Sequence, residues 1–363
     1  MPPIQKILFG SPGTGKSYKV REIAQQELDI EWNEQTKSLK NTIKTVFHPE
    51  YTYSDFVGKL LPQTDGNGSV IYKFYEGHFL RALGIAYKKI IEGTHENVLL
   101  VIDELNRGNA AAIFGSIFQL LDRDEDCWST YEVNLSELEI VGLWRAMGSV
   151  IINENITINY SNFNILCDLA EKDLRDKSNN YGLRVLENLK NGSITIPSNL
   201  SIIATINTSD ESIYYLDSAF KRRWDWEYVD VPNSKFSEDI PEKIKDVFVF
   251  IADDKFIWSD LVIRLNEFIK SHHQSIRRIE DKQIGWWFLK ADKNSEITEA
   301  AIKNKLMFYL WDSVFAKDRR PLEELLGVKL ITYADFANLS FEFIHELAPK
   351  KVKAIKAIKE TEF

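Results

Sequence analysis

The chain has 363 residues, 44% hydrophobic and 27% charged, with a formal net charge of −9. That length suits two or three domains with a sizeable core, and the charge excludes a surface that is basic all over, though not a locally basic pore. Two cysteines, Cys127 and Cys167, make no disulfide framework, the six histidines show no zinc spacing, and no apolar run approaches a membrane span; a cytoplasmic protein with no membrane partner is expected.

The first element is a strand over Ile4–Phe9, followed by GSPGTGKSY at Gly10–Tyr18 and a helix over Tyr18–Leu28. Strand, glycine-rich loop and helix in that order are the context of a phosphate loop, G-x-x-x-x-G-K-[ST]. The glycines let backbone N–H groups curl around phosphates, and the helix N-terminus adds partial positive charge. Gly10, Ser11, Pro12, Gly13, Thr14, Gly15, Lys16, Ser17 and Tyr18 are therefore the candidate nucleotide-binding residues. Lys16 is assigned to the β- and γ-phosphates and Ser17 to Mg²⁺.

A second buried strand, Asn97–Ile102, ends in Asp103-Glu104. Asp103 is the expected second metal residue, and Glu104 the group that orients and deprotonates the attacking water. The following segment, Ala110–Leu121, has the apolar spacing of a helix packed in a core. Between Trp128 and Ser198 lies a long stretch. In it Leu135–Met147 and Phe163–Lys172 read as helices, with Leu138, Val141 and Trp144 sharing a face. Ile151–Tyr160 alternates like a strand, and Asn191-Gly192 reads as a turn into another. This stretch is expected to form an inserted subdomain that projects toward a partner or substrate.

A third strand, Leu200–Ile206, leads to Asn207, a candidate sensor for the attacking water or the γ-phosphate. A short amphipathic segment, Asp217–Phe220, then precedes Arg222 and Arg223, candidates for a charge-neutralising arginine that acts on a neighbour's site. The acidic, proline-marked stretch Val231–Lys245 is the expected domain boundary. Trp286-Trp287-Phe288 reads as core, and Lys350–Lys359 as a terminal helix with a solvated basic face.

Taken in order, Gly10–Ser17, Leu99–Glu104, Asn207 and Arg222/Arg223 resemble the AAA+ superfamily, and further words narrow the resemblance. Phe47–Val57 (FHPEYTYSDFV) is similar to the FHxxYxYxDF segment of McrB-type proteins, and Ile102–Arg107 (IDELNR) to their IDEINR. Ile206–Ser212 stands where that family has MNTADRS, Ala219–Trp226 where it has ALRRRF, Ile284–Phe288 (IGWWF) where it has IGHSYF, and Pro321–Leu326 where it has PLLEEY. Glu211 and Trp286 depart from the family's Arg and His.

The resemblance implies an α/β fold: an AAA+ phosphate-loop domain of parallel strands with helices on both faces, then a small all-α lid. The expected domains are 1–235, with the insertion at about 128–198, and 236–363. It implies a hexameric ring that hydrolyses ATP or GTP with Mg²⁺ between subunits. Asn207 would position the water, Arg222 or Arg223 would act in trans, and Asn106 and Arg107 would lie near the seam. The implied partner is a McrC-like or other nuclease subunit, with DNA reached through that partner. Only Met1-Pro2-Pro3 precede the first strand, so the base is expected either against Phe47–Phe56, the lid and a neighbouring subunit, or loosely held. The alternatives are a MoxR-type chaperone and a nucleotide-gated scaffold.

Overall fold

A computed structural model describes residues 2–64, 66, 68–148, 160–208, 214–232, 240–252 and 254–347, without the side chains of 160–166. The chain divides into two compact units, one drawn from 1–8, 17–206 and 210–227, the other from 9–16, 207–209 and 228–363. Among the described residues no helix is long and apolar enough to cross a membrane.

The α/β unit begins with β1 (Gln5–Gly10) and α1 (Lys16–Gln26), then the short strands β2 (Trp32–Asn33) and β3 (Ser38–Leu39), and β4 (Thr42–Val46). A turn of helix, α2 (Tyr53–Phe56), leads into a hairpin, β5 (Gly58–Thr64) and β6 (Val70–Glu76), and then α3 (His78–Ile91) and β7 (Val98–Asp103). After α4 (Ala110–Phe114) the chain continues as 3₁₀ helix over Gly115–Leu121, so the helix expected there changes character at Gly115, whose φ is 50°. The unit closes with β8 (Val133–Asn134), α5 (Glu137–Ala146), α6 (Tyr160–Asp176), α7 (Asn180–Lys190), β9 (Ser193–Ile194), β10 (Leu200–Asn207), α8 (Ser218–Lys221) and β11 (Asp225–Tyr228).

The main sheet has the order β11-β1-β10-β7-β4. β7 pairs in parallel with β10 on one side, Leu200 opposite Val98, and with β4 on the other, Val46 opposite Asp103. Continuous apolar runs such as VLLVI and LSIIATI are what strands covered on both faces require. The order puts β10 between β1 and β7, so the strands ending in Gly10, Asn207 and Asp103 are consecutive neighbours.

The stretch 128–198 is rooted in a two-residue ladder, β8 with β9, in which Val133 faces Ile194. The helices α5 and α7 leave this ladder and pack on α3. The contact is close: a Cβ on Gly84 of α3 would meet that of Ala146 at 2.6 Å. Trp128 is fully buried and stacks on Tyr181, with the Arg184 guanidinium 4.5 Å from its ring. Arg123 ties the root together, donating to the carbonyls of Cys127, Ile196, Pro197 and Leu200 at 2.9–3.1 Å. Burial, with no carboxylate beside it, pulls the Arg123 guanidinium down to about 10. In α5 the buried face is Ile140, Leu143 and Trp144, whereas Leu138 is exposed, which corrects the face read from the sequence. The capping box of Ser136 and Glu139 sets where the helix starts and thus its phase. Of the strand read over Ile151–Tyr160, Tyr160 is the first residue of α6; the remainder lies outside the described residues, as do Glu211 and Lys350–Lys359.

Within the Phe47–Phe56 segment Phe47, Tyr51 and Phe56 belong to the core, whereas His48, Pro49, Glu50, Thr52 and Ser54 are exposed. Phe47 and Phe56 have no exposed surface and pack with Phe114, and Phe56 also meets Phe79. These rings are therefore committed inside the unit, contrary to the expectation that they hold a nucleobase. Tyr51 stacks on Phe47, accepts a hydrogen bond from Thr45 and lies 2.8 Å from His78 Nδ1. Burial pushes the Tyr51 phenol up to about 12 and His78 below its ordinary value. A neutral imidazole with Nδ1 as acceptor is the tautomer that suits this pair.

The second unit contains α9 (Glu242–Lys245), β12 (Phe248–Ile251), β13 (Asp254–Ile257), α10 (Trp258–Ser271), α11 (Ile279–Lys282), β14 (Glu296–Thr298) and α12 (Glu299–Ala301). Two π-helical stretches follow, Ile302–Met307 and Leu310–Val314, and then α13 (Arg320–Leu326), α14 (Tyr333–Ala337) and α15 (Ser340–Leu347). It is helical as expected, with one addition to the all-α reading: a three-stranded sheet of order β13-β12-β14. Its core gathers Trp258, Leu261, Leu265, Leu306, Leu310 and Phe343.

Phe56→Ala is expected to cost about 3–5 kcal/mol in urea-induced unfolding, because a fully buried ring leaves a cavity among neighbouring rings. Tyr72→Ala, at a side chain 71% exposed, should change stability by less than about 0.5 kcal/mol.

Candidate nucleotide-binding site

The loop Gly10–Ser17 is bent by glycines that other residues cannot replace. Gly13 has φ 75° and Gly15 φ 93°, both in the left-handed region. A Cβ on Gly13 would lie 2.6 Å from the Phe288 nitrogen, and one on Gly15 3.0 Å from the Trp287 indole. Lys16 is buried, and its ammonium donates to the carbonyls of Gly10 and Ser11, both at 2.9 Å. Thr14 Oγ1 donates to the same Ser11 carbonyl at 3.0 Å. These bonds hold the lysine along the inside of its own loop.

Residues 280–288 of the second unit fasten this loop. The Gly285 and Trp287 amides donate to the carbonyls of Pro12 and Gly13, each at 2.9 Å, and the Ser11 hydroxyl donates to the Glu280 carbonyl. Gly285 is required here, since its Cβ would stand 2.2 Å from the Gly13 carbonyl carbon. Trp286 turns into the core, its carbonyl accepting from the Trp258 indole at 2.9 Å. Reading Trp286-Trp287-Phe288 as core thus captures Trp286. Trp287 and Phe288 do something the sequence reading did not name: they line the back of the phosphate loop.

At the tip of β7 both oxygens of Asp103 are engaged. Thr205 Oγ1 donates to Oδ1 at 3.1 Å, and the Lys44 ammonium lies 2.7 Å from Oδ2. Thr205 also accepts from the Glu104 amide at 3.4 Å. Glu104 itself sits in the left-handed region, φ 56° and ψ 43°, an unusual conformation for a non-glycine residue. Such a turn ends the strand abruptly and sets the Glu104 side chain off the alternation of β7. Thr205 and Lys44 escaped the sequence reading. The available signal was a hydroxyl inside the otherwise apolar run LSIIATI and a lysine in TIKTV.

Ser17, Tyr18, Arg21, Lys44 and Asp103 line one cavity of about 450 Å³, together with Trp32. The two expected metal residues, Ser17 and Asp103, are thereby brought together. One hydroxyl and one carboxylate are hard oxygen donors and fit Mg²⁺, which usually takes one or two carboxylates and completes its shell with phosphate and water. No cluster of three or more His, Cys, Asp and Glu suited to a metal occurs among the described residues. Asn207 ends β10 half-buried, and the adjacent Thr208 amide reaches the Gly10 carbonyl at 3.4 Å.

The two arginines differ. Arg223 is only 9% exposed; it donates to Asp122 at 2.6 Å and to the Ala219 carbonyl at 2.8 Å, and its guanidinium covers the Phe118 ring at 4.0 Å. Arg222, which caps α8, is exposed. Asn106 is buried and its carbonyl accepts from the Tyr214 amide, while Arg107 is exposed.

A phosphate loop, a carboxylate pair on a strand two places away and a polar tip on the strand between them define a phosphate-loop α/β protein. Residues 5–224 match the AAA domain of the dynein-related subfamily, and the chain belongs to that family. It is 29% identical over 337 residues to the YdiS component of the type II restriction enzyme BsuMI of Bacillus subtilis strain 168, covering 86% of this chain and 80% of that protein. It is 24% identical over 223 residues to the EcoKMcrB subunit of the type IV methyl-directed restriction enzyme of Escherichia coli K12. That match covers 60% of this chain and 33% of the relative. The McrB-type resemblance read from the sequence is thus borne out, and the chain is an AAA protein related to restriction-system components.

Thr205→Val keeps the shape of the side chain and removes the hydroxyl that orients Asp103. It is expected to weaken Mg²⁺-dependent nucleotide binding about 10–100-fold, as loss of an outer-sphere partner does. Titrating a fluorescent nucleotide analogue with and without Mg²⁺ measures this.

Proposed function

We propose that the chain is the nucleoside triphosphatase subunit of a cytoplasmic restriction system, assembling as a hexameric ring and powering or gating a nuclease subunit that reaches DNA. The observation that carries this reading is that the Asp103 carboxylate shares a cavity with Ser17, the last residue of the phosphate-loop motif. The two relatives are named as restriction components, which supports the task.

In the proposed reaction water attacks the γ-phosphorus in line and the bond to the β–γ bridging oxygen breaks. Glu104 takes the proton from the water, and Asn207 holds the water's other hydrogen-bonding site. Lys16 leaves the Gly10 and Ser11 carbonyls for the β- and γ-oxygens. Mg²⁺, when bound at Ser17 and Asp103, supplies charge neutralisation on those oxygens. Arg222, exposed on α8, is assigned the trans role at a neighbour's site. Arg223, held by Asp122, is assigned to anchoring α8.

Glu104→Gln should retain ATP or GTP and the ring yet reduce turnover at least about 100-fold, while Lys16→Ala should lose binding. Turnover by a monomeric wild type at the full rate of the assembly would contradict the shared site. Arg222→Ala should abolish turnover in the assembled ring and leave thermal stability unchanged. Arg223→Ala should lower stability by about 2–4 kcal/mol, because it strips a buried network. Steady-state turnover stimulated by DNA or by a nuclease partner would separate a motor from a scaffold.

A further inference from the structure

Lys44 lies on β4 opposite Val101, two residues before Val46, which faces Asp103. In a parallel ladder those four side chains share one face. A lysine placed there has the reach to run along the strand to the Asp103 carboxylate, and its ammonium stands 2.7 Å from Oδ2. The carboxylate does not need it for orientation, since Thr205 already fixes Oδ1. The lysine side chain is 55% exposed and that of Asp103 16%, so the ammonium has open solvent to retreat into while the acid stays put. The other cations along the cavity are Arg21 and Lys37, of which Arg21 is engaged by Glu34 at 3.5 Å and by the Trp32 ring at 3.7 Å. Lys44 is the cation seated on Asp103.

We infer that Lys44 is a resident counter-cation for Asp103 that competes with the divalent metal and so sets the metal concentration at which the site loads. This rests on the nucleotide-and-metal reading of the site. A positive charge on one carboxylate oxygen neutralises the acid in the metal-free chain. The same charge repels a divalent ion that approaches, and one of the two must yield. Lys44 thus acts on the metal through Asp103, by its charge and not by orienting the carboxylate.

The test is Mn²⁺ binding to the full chain at a fixed concentration of ADP, followed by the loss of the free-ion electron paramagnetic resonance signal beyond the loss that the same ADP causes without protein. Wild type is compared with Lys44→Met and Lys44→Arg, each checked for wild-type circular dichroism. Lys44→Met should bind Mn²⁺ about 10-fold more tightly, and Lys44→Arg, which restores the charge, should bind as wild type does. Mn²⁺ affinity in Lys44→Met equal to or weaker than wild type overturns the inference while leaving the site reading intact. No Mn²⁺ binding by any of the three with ADP present would overturn the site reading itself, and the inference with it.

Discussion

The arrangement depends on a carboxylate held at the end of a buried strand. Asp103 stands where β7 leaves the sheet, fixed through one oxygen by a hydroxyl of β10 and through the other by an ammonium of β4. The two strands flanking β7 thus each send one group to the same acid. An anion so placed is tolerable because both oxygens find donors. Thr205 contributes twice, since it also receives the Glu104 amide as the backbone swings into its left-handed turn. The proposed metal residue and the proposed base are therefore both bonded to one side chain on the neighbouring strand.

The phosphate loop is governed by a different constraint. Its carbonyls, which point away from the amides a phosphate would use, are taken by Lys16 and by the Gly285 and Trp287 amides. Two glycines, Gly13 and Gly285, allow two backbones to approach at distances a Cβ forbids, and Gly15 leaves room for the Trp287 indole. The loop consequently belongs by its contacts to the helical unit, although in sequence it follows the first strand of the sheet.

Much of this was legible in the sequence because the signals are local. A strand, a glycine loop and a helix are contiguous, and an apolar run ending in Asp-Glu, common by itself, takes its meaning from the phosphate loop it accompanies. The strands β1, β7 and β10 lie within a residue or so of where hydrophobicity alone puts them. What stayed hidden is what depends on neighbours across the sheet. Neither Lys44 nor Thr205 is near Asp103 in sequence, and a lysine on an edge strand looks like any solvated side chain. Arg222 and Arg223 are consecutive and chemically identical, so only the presence of Asp122 beside one of them tells them apart. The aromatic segment Phe47–Phe56 misled for the opposite reason: ring-rich words suit both stacking on a base and filling a core, and burial alone decides between them.

The most direct measurement is a structure of the protein with Mg²⁺ and a non-hydrolysable triphosphate analogue. The account predicts phosphates against the Gly10–Ser17 backbone, a metal between Ser17 and Asp103, and the Lys44 ammonium withdrawn from Oδ2. Phosphates bound elsewhere, or an Asp103 carboxylate still closed on Lys44 with the analogue in place, would contradict it.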